Sequence, residues 1–205
     1  MCAIEKTDQL EVYKQIFKAH HGILRASTAI KLGIPEHTIY HMIRDGEVIR
    51  EARGLYRLAD MQPLENPDLI QVSLLIPKGV VFLISALYFH GLTTQIPHRV
   101  YIALPQEIKR PRITHPPVMF FHLSRQQYLA GLEEHSMDGI AVKIYSQEKT
   151  ITDCFKHRNQ IGQEIALEAL KDYMRGPAPN VQLLMEYARV NRVEKLIRPY
   201  VETLL

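Results

Sequence analysis

The sequence of 205 residues predicts an α+β fold in two domains, and three observations predict it. Residues 1–60 carry three short helical patterns followed by two strands around a glycine turn. Residues 68–145 mix apolar helical patterns with alternating strands, and helical periodicity then runs from Ser146 to the end. The two prolines within residues 61–67 mark a linker, so we expect a domain of residues 1–60 and a mixed α/β domain of residues 68–205 with a helical tail.

The composition is that of a water-soluble globular protein, with 46% hydrophobic and 23% charged residues. Cys2 and Cys154 lie far apart, which favours neither a disulfide framework nor a four-cysteine metal site. The first residues include acids and no apolar run, so no signal peptide is predicted. The longest apolar stretch, residues 80–89, is about half the length of a membrane-spanning helix. We therefore expect a cytoplasmic protein without a membrane segment.

The first two helices precede a glycine turn. Helix one is predicted to begin at Thr7, a suitable N-cap, and to end at Gly22. Its apolar residues recur at spacings of three and four: Leu10, Tyr13, Ile16 and Phe17. After a brief apolar pair at residues 23–24, a second helix is predicted over residues 25–32. Its small-residue face for close packing consists of Ala26, Ala29 and Ile30.

A third helix and a hairpin complete this domain. The third helix follows the Gly33 turn, has Pro35 as its first residue and ends near Gly46. Its buried stripe consists of Ile39, Met42 and Ile43. Strands are predicted over residues 48–50 and 55–58, with a turn over residues 51–54. Three helices followed by a basic hairpin are the element order of a winged helix-turn-helix, which places its third helix in the major groove of DNA.

The residues expected to contact double-stranded DNA follow from helical geometry. If the stripe faces the core, the opposite side of the third helix presents His37, Tyr40, His41 and Arg44. Arg44 is the best candidate for reading a guanine, because its planar guanidinium matches the O6 and N7 acceptors. Thr38 is placed to bond a phosphate. Further backbone contacts are predicted for the hairpin and for the start of helix two: Arg50, Arg53 and Arg57, and Arg25, Ser27 and Thr28.

The charge balance weighs against DNA binding. The net charge is only +3, and Glu36, Glu47 and Glu51 lie close to the predicted DNA contacts. Winged helices also serve as protein-docking modules, and polar residues on a helix often form only a solvated face. The sequence therefore leaves protein docking and a solvated helix face open as alternatives to DNA binding.

The second domain mixes helices and strands. Helices are predicted over residues 69–76 and 80–90, and a capping box at residues 124–127 predicts a short one. Strands are predicted over residues 100–104, 118–123 and 140–145. Breaks near Gly162, residues 176–179 and Asn191 divide the tail into three or four helices.

A basic segment crosses the middle of the second domain. Its cations are Arg99, Lys109, Arg110 and Arg112, with His98 and His115 nearby. Such a surface fits an acidic protein partner or a nucleic-acid backbone. It also fits a strand edge that positive charge keeps soluble. The sequence does not separate these interpretations.

We predict neither catalysis nor a cofactor. Asp153, Cys154 and His157 share one predicted helix at spacings that suit a thiolate and its base. However, Cys154 lies between apolar neighbours, so packing is the favoured interpretation. His37 and His41 lack the glutamate of the H-E-x-x-H zinc motif, and no phosphate-binding or nucleophile-elbow motif is present. No metal site is therefore expected.

Three segments together resemble a known family. They are GIPEHTIYHMIRDGEVIREARGLYRL (residues 33–58), FLISALYFHGLT (residues 82–93) and SQEKTITDCF (residues 146–155). The arrangement resembles the AbiEi family, the antitoxins of type IV abortive-infection toxin–antitoxin systems. The resemblance implies that the winged helix binds inverted repeats in its own promoter and represses the operon. It also implies that the second region counteracts a nucleotidyltransferase-like toxin, with or without a stable complex.

Two questions stay open beside this resemblance. An inverted repeat requires two copies of the chain, which either form a dimer or bind cooperatively as monomers. The alternative function is a stand-alone transcription factor whose second domain binds a ligand or a protein.

Overall fold

The fold divides into two compact units. A computed structural model describes residues 2–52, 54–62 and 64–205, which form eleven helices and eight strands. Unit 1 contains the chain up to Leu74 and the short segment Ser136–Ile140. Unit 2 contains Leu75–His135 and Ala141–Leu205. Within the described residues, no helix is both long and apolar enough to cross a membrane.

The boundary was expected at residues 61–67, whereas the division falls after Leu74 and leaves all but the last residue of the next helix in unit 1. Two hydrogen bonds show what holds this part of the chain there. The Gln71 side chain donates to the carbonyl of Glu51 at 3.5 Å, and the Glu65 N–H donates to the Asp138 carboxylate at 3.3 Å. A proline-rich stretch thus marks a bend within unit 1.

Unit 1 consists of helices around a three-stranded antiparallel sheet of order β1-β3-β2. Its elements are α1 (Cys2–Ala19), β1 (Ile23–Arg25), α2 (Ala26–Lys31), α3 (Glu36–Arg44), β2 (Val48–Ala52), β3 (Leu55–Leu58) and α4 (Pro67–Leu75). Their buried core includes Phe17, Leu24, Ala29, Ile34, Ile39, Met42, Val48, Tyr56 and Leu58. The stripe predicted for α3 therefore faces this core, where Ile43 packs partly buried.

Three details of unit 1 differ from expectation. Helix α1 begins at Cys2 and not at Thr7, since Ala3, Glu5 and Lys6 are strong helix formers and nothing there stops the helix. Ile23 and Leu24 belong to a strand that pairs with β3. On α2, Ala29 is fully buried, whereas Ile30 is 47% exposed and takes no part in the expected packing face.

Gly33 makes the turn between α2 and α3 possible. Its φ is +92°, a conformation that side chains disfavour, and a Cβ placed there would meet nothing within 4 Å. The requirement at this position is therefore the backbone conformation and not a lack of space. The next residue, Ile34, bonds back to the Ala29 carbonyl at 3.0 Å and is fully buried. The turn thus anchors the start of α3 in the core.

Unit 2 is built on a five-stranded sheet of order β6-β5-β4-β8-β7. Its strands and the helices between them are β4 (Val80–Val81), α5 (Leu83–Phe89), β5 (Val100–Pro105), β6 (Val118–Leu123), α6 (Arg125–Leu129), β7 (Leu132–Met137) and β8 (Ile140–Tyr145). Strand β5 runs parallel to β6 and antiparallel to β4, and β4 runs parallel to β8. The last residues of β7 and the first of β8 belong to unit 1.

The helix predicted over residues 80–90 begins later than expected. Val80 and Val81 form β4, which pairs with β5 on one side and, through Val81 and Ile144, with β8 on the other. Phe82 is extended, with φ −139°, and α5 begins after it. A continuous apolar run suits a buried strand as well as a helix, so periodicity alone could not separate the two. Strand β7 was not predicted.

Five helices follow β8, where three or four were expected. They are α7 (Gln147–Lys156), α8 (Arg158–Ile161), α9 (Gln163–Arg175), α10 (Val181–Asn191) and α11 (Glu194–Leu204). Breaks occur near all three predicted positions, and His157 adds another. Side-chain caps begin two of these helices, since the Ser146 hydroxyl and the Asn180 carbonyl oxygen accept backbone N–H groups at 3.3 and 3.0 Å.

The short helix predicted from the capping box is α6. Ser124 precedes it, but its hydroxyl donates to the Gln127 side chain at 3.3 Å and caps no backbone N–H. The predicted capping box is therefore reduced to one side-chain contact without a bond to the backbone, and α6 ends after five residues.

Candidate nucleic-acid interface

Helix α3 has one buried and one exposed side. Ile39 and Met42 are each 1% exposed in the core of unit 1. The opposite side carries four exposed residues, which we call the outer row: His37, Tyr40, His41 and Arg44. The spacing of three and four residues brings the outer row onto a single face. Donors and acceptors on one exposed helix face are what base reading in a major groove requires.

Three residues of the outer row border an open groove: His37, His41 and Arg44. The groove has a volume of about 570 Å³, and α1 supplies its other wall with Leu10 and Tyr13. The rings of His37 and His41 meet edge to face, with centroids 6.3 Å apart. Tyr40 is 53% exposed, which leaves its hydroxyl available to an incoming ligand. All of these groups can donate hydrogen bonds to bases or phosphates.

Arg44 is held loosely. Its side chain is 70% exposed, and its Nε donates to the Asp45 carboxylate at 3.1 Å. Exposed ion pairs of this kind contribute about 0–1 kcal/mol, so the contact orients the guanidinium without occupying its other donors. Those remaining donors can still form the bidentate contact to a guanine.

Of the two hairpin arginines that the structure describes, Arg50 faces solvent. The Arg50 side chain is exposed and forms no ion pair or hydrogen bond with the described residues. Arg53 lies outside the described residues. At the start of α2, Ser27 is exposed, whereas Arg25 and Thr28 are half-buried, as is Thr38 in the first turn of α3. Short hydroxyl side chains in these places suit backbone phosphates.

Arg57 was predicted to contact a phosphate, but its side chain is largely buried and paired. Its side chain is only 11% exposed, and its Nε donates to the Glu51 carboxylate at 2.5 Å. Its Nη1 donates to the carbonyls of Leu58 and Met61 at 3.1 and 3.0 Å. Because these partners take up Nε and Nη1, Arg57 ties the base of the hairpin to Glu51 and to the chain near Met61.

Two of the three acids near the predicted contacts are neutralised by partners. Glu47 forms an ion pair with Lys14 of α1, and Glu51 forms the pair with Arg57. Only Glu36 stays exposed without an ion pair to the described residues. Each of these pairs also neutralises a cation, Lys14 or Arg57, so the net charge of the region is unchanged. No sequence pattern indicates the Lys14–Glu47 pair, because the two residues lie far apart in the chain.

Comparison with known proteins supports this picture of unit 1. Residues 11–59 match the family model described as "Transcriptional regulator, AbiEi antitoxin". The AbiEi resemblance is confirmed for this segment. The family is one of transcriptional regulators and antitoxins, and its match covers the second half of α1, all of α2 and α3, and the three strands β1 to β3. No curated protein matches the chain.

A solved structure shares the fold beyond the AbiEi segment. The RV2827C protein from Mycobacterium tuberculosis, known from a crystal structure, is similar to this chain with a TM-score of 0.57 and 12% identity. The similarity covers 93% of this chain and 79% of that protein. At this identity the comparison shows a common fold alone.

The cations of the basic segment in unit 2 are exposed. Arg99 lies immediately before β5, and the other three cations lie in the connection between β5 and β6: Lys109, Arg110 and Arg112. None of them forms an ion pair within the described residues. Arg110 also lines an open groove along β6. The arrangement leaves these charges available to a partner.

The candidate thiolate site is a buried structural cluster. Cys154 is fully buried, and burial raises the pKa of its thiol well above the usual value. Burial lowers the pKa of His157 to about 4, and its ring lies edge-on to Phe82 and Phe121. A thiol held protonated beside a histidine held neutral by apolar surroundings is poorly suited to nucleophilic attack.

A buried ion pair lies beside this cluster and was not predicted. Lys149 Nζ is 2.6 Å from both carboxylate oxygens of Asp153, and both side chains are 0% exposed. The Asn191 amide donates to Asp153 and to the Thr152 hydroxyl, each at 2.8 Å. Burial raises the pKa of Asp153, and the Lys149 ammonium opposes that rise. This network connects α7 to α10. Within the described residues, no cluster of three metal-ligating side chains occurs.

Proposed function

We propose that residues 1–60 form a winged helix-turn-helix that binds double-stranded DNA. In this arrangement α3 enters the major groove, and the β2–β3 hairpin lies along the phosphates. The observation that carries the proposal is the exposed outer row on α3, directly opposite Ile39 and Met42 in the core. The AbiEi family match over residues 11–59 supports it.

Each predicted contact takes a role that its environment permits. Arg44 reads a guanine, while His37, Tyr40 and His41 contact bases or adjacent phosphates. Arg50 and Arg53 contact phosphates from the hairpin, whereas Arg57 is assigned to holding the hairpin in place. Backbone contacts come from Arg25, Ser27, Thr28 and Thr38.

We further propose that this protein is a repressor of its own operon and an antitoxin. It acts in the cytoplasm, binds inverted repeats in its promoter and counteracts a nucleotidyltransferase-like toxin. The support is the AbiEi match in unit 1 together with the two motifs in unit 2 that resemble the same family. Reading an inverted repeat places two chains on one operator.

Footprinting of the region upstream of the protein's own gene tests the proposal. We expect protection of an inverted repeat. Binding should weaken at higher salt, because the protein's Lys and Arg side chains release counterions from the DNA phosphates and added salt opposes that release. Equal affinity for operator and unrelated DNA would overturn the assignment of the outer row. A neighbouring nucleotidyltransferase-like gene, whose toxicity this protein suppresses, is expected for the antitoxin. A small molecule that changes DNA affinity in the absence of such a gene would instead indicate a stand-alone sensor.

A further inference from the structure

Strand β6 lies at one edge of the five-stranded sheet, with β5 on its inner side. Two hydrogen bonds fix the register of the pair: the Val100 N–H donates to Pro117 O at 2.8 Å, and the Gln106 N–H donates to Leu123 O at 3.1 Å. In a parallel ladder, alternate residues of a strand bond to one neighbour. The peptide groups of Val118, Phe120 and His122 therefore point away from β5, toward the open side.

These outward peptide groups have no backbone hydrogen-bond partner within the described part of the chain. Residues 118–123 contain no Asp, Glu, Lys or Arg, and Val118, Met119 and Phe120 are half-buried and apolar. An open groove of about 440 Å³ runs along the strand, bordered by Arg110 and Gln160. Strand β6 thus offers both hydrogen-bonding groups and apolar surface.

The strand at the opposite edge of the sheet, β7, carries charged side chains. Strand β7 carries two exposed acids, Glu133 and Glu134. Charged side chains on an edge strand are a common protection against pairing with another chain. Strand β6 lacks this protection, because it has no charged side chain of its own.

The surroundings of β6 are strongly positive. Residues 98–125 contain five cations against Glu107, a net charge of +4: Arg99, Lys109, Arg110, Arg112 and Arg125. Those in the β5–β6 connection are exposed and form no ion pair with described residues. An occupant of the groove is therefore expected to carry negative charge.

The chemistry of the edge distinguishes the possible occupants. The phosphates of a nucleic acid are acceptors only, so they cannot satisfy the outward carbonyls of Val118, Phe120 and His122. A second copy pairing β6 with β6 would bring two basic segments together. An extended peptide supplies both donors and acceptors along the strand, and acidic side chains complement the cations.

We propose that β6 binds an extended acidic segment of a partner protein, which adds to the sheet as a sixth strand. The main-chain bonds provide affinity, and Arg110 with Arg112 selects for acidic side chains. This inference stands on unit 2 alone and does not depend on DNA binding by unit 1.

Fluorescence anisotropy of the full chain with a labelled peptide of alternating Glu and Val tests the proposal. We expect the same peptide with Lys for Glu to bind at least about tenfold more weakly, because its charge is reversed. N-methylation of alternate residues removes the peptide's donors on one side and is also expected to weaken binding at least about tenfold. The double variant Arg110→Glu, Arg112→Glu should lose a similar factor.

A matched pair of variants tests the main-chain contact on the protein side. Phe120→Ala removes the ring, and Phe120→Pro removes the ring and the outward N–H together. An edge strand tolerates proline where its N–H faces outward, so the ladder with β5 stays intact. We expect Phe120→Pro to bind the acidic peptide about fivefold more weakly than Phe120→Ala. If Phe120→Pro does not fold, the N-methylated peptide decides, since it leaves the protein unchanged.

Several results would overturn the proposal. They are absence of binding by the acidic peptide, undiminished binding by its N-methylated form, and equal binding of the Glu and Lys peptides. Self-association that Phe120→Pro abolishes would identify a second copy as the occupant. Loss of duplex affinity in Arg110→Glu, Arg112→Glu without any peptide binding would identify a nucleic-acid surface. Arg44→Ala should leave peptide binding unchanged, which separates this inference from the proposed DNA function.

Discussion

Arg50 and Arg57 occupy the same hairpin in opposite environments. Arg50 is exposed without a partner among the described residues, whereas Arg57 is bound to Glu51 and to two carbonyls. The sequence marks both as basic residues of a hairpin, so it predicts the same role for each. Only the position of Glu51 and of the chain near Met61 separates a residue available to DNA from a structural one.

Substitution of the two arginines should therefore have different effects. Arg50→Ala is expected to weaken binding to all DNA sequences and to reduce the salt slope of log K by about one unit, without changing thermal stability. Arg57→Ala should lower the unfolding temperature, because it leaves Glu51 without its partner. Salt-dependent binding assays and thermal unfolding of both variants check this prediction. A large stability loss in Arg50→Ala would contradict it.

Arg44→Ala should relax discrimination at one base position by about 1–3 kcal/mol, since a single bidentate contact to guanine is lost. Competition binding with operators substituted at each position measures the effect. Arg175→Ala is a matched control, because Arg175 is 76% exposed and also has an aspartate neighbour, Asp172. Equal loss at every base position would indicate that Arg44 contacts a phosphate.

His157 makes stability depend on pH. Its folded pKa of about 4 lies below the ordinary value of 6.5, because burial disfavours the charged ring. The stabilisation of the folded state that comes from burying the neutral His157 ring is therefore complete above pH 6.5. It is lost as the pH falls from about 6.5 to about 4. In His157→Leu, the thermal unfolding midpoint should fall less over this pH range than it does in the unsubstituted protein. His98→Gln, at an exposed histidine, is the control, and His90, whose pKa is also lowered, leaves a residual slope in every variant.

At the scale of elements, the sequence predicts best where periodicity is long and regular. The inward side of α3 follows from its spacing of three and four residues, and β8 follows from its alternation of apolar and polar residues; β5 and β6 were also predicted as strands. Short elements were missed, since β1 has three residues and β4 two, too few to show a period. In β7, Glu133 and Glu134 interrupt the apolar alternation. Burial of Lys149 was also beyond a sequence argument, because it depends on Asp153 and Asn191 meeting in the fold.

The packing of α7 against α10 should be sensitive to this buried network. Lys149→Met leaves the Asp153 carboxylate buried without a cation, which is expected to cost about 3–5 kcal/mol of unfolding free energy. The double variant Lys149→Met, Asp153→Leu should be more stable than Lys149→Met alone, since no uncompensated charge is left. Urea unfolding of both variants measures this. Arg198→Met removes an exposed pair with Glu194 and is the control, with little change expected.

At the scale of the whole molecule, the exposed outer row implies one reading surface per chain. An inverted repeat should therefore bind two chains and an isolated half-site one. Sedimentation velocity with DNA of each kind measures the stoichiometry. A single chain on the complete repeat would contradict the proposed mode of binding. Comparison with the chain free in solution also distinguishes a preformed dimer from monomers that assemble on DNA.

The central strand of the large sheet has a consequence for how unit 2 assembles. Strand β4 has only two residues, and its single partner in β8 is Ile144, distant in the chain from Val81. Closing such a long loop costs conformational entropy, and few hydrogen bonds between β4 and β8 offset that cost. The two halves of the sheet should thus form before they join, and Val81→Ala should mainly accelerate unfolding while leaving the folding rate nearly unchanged.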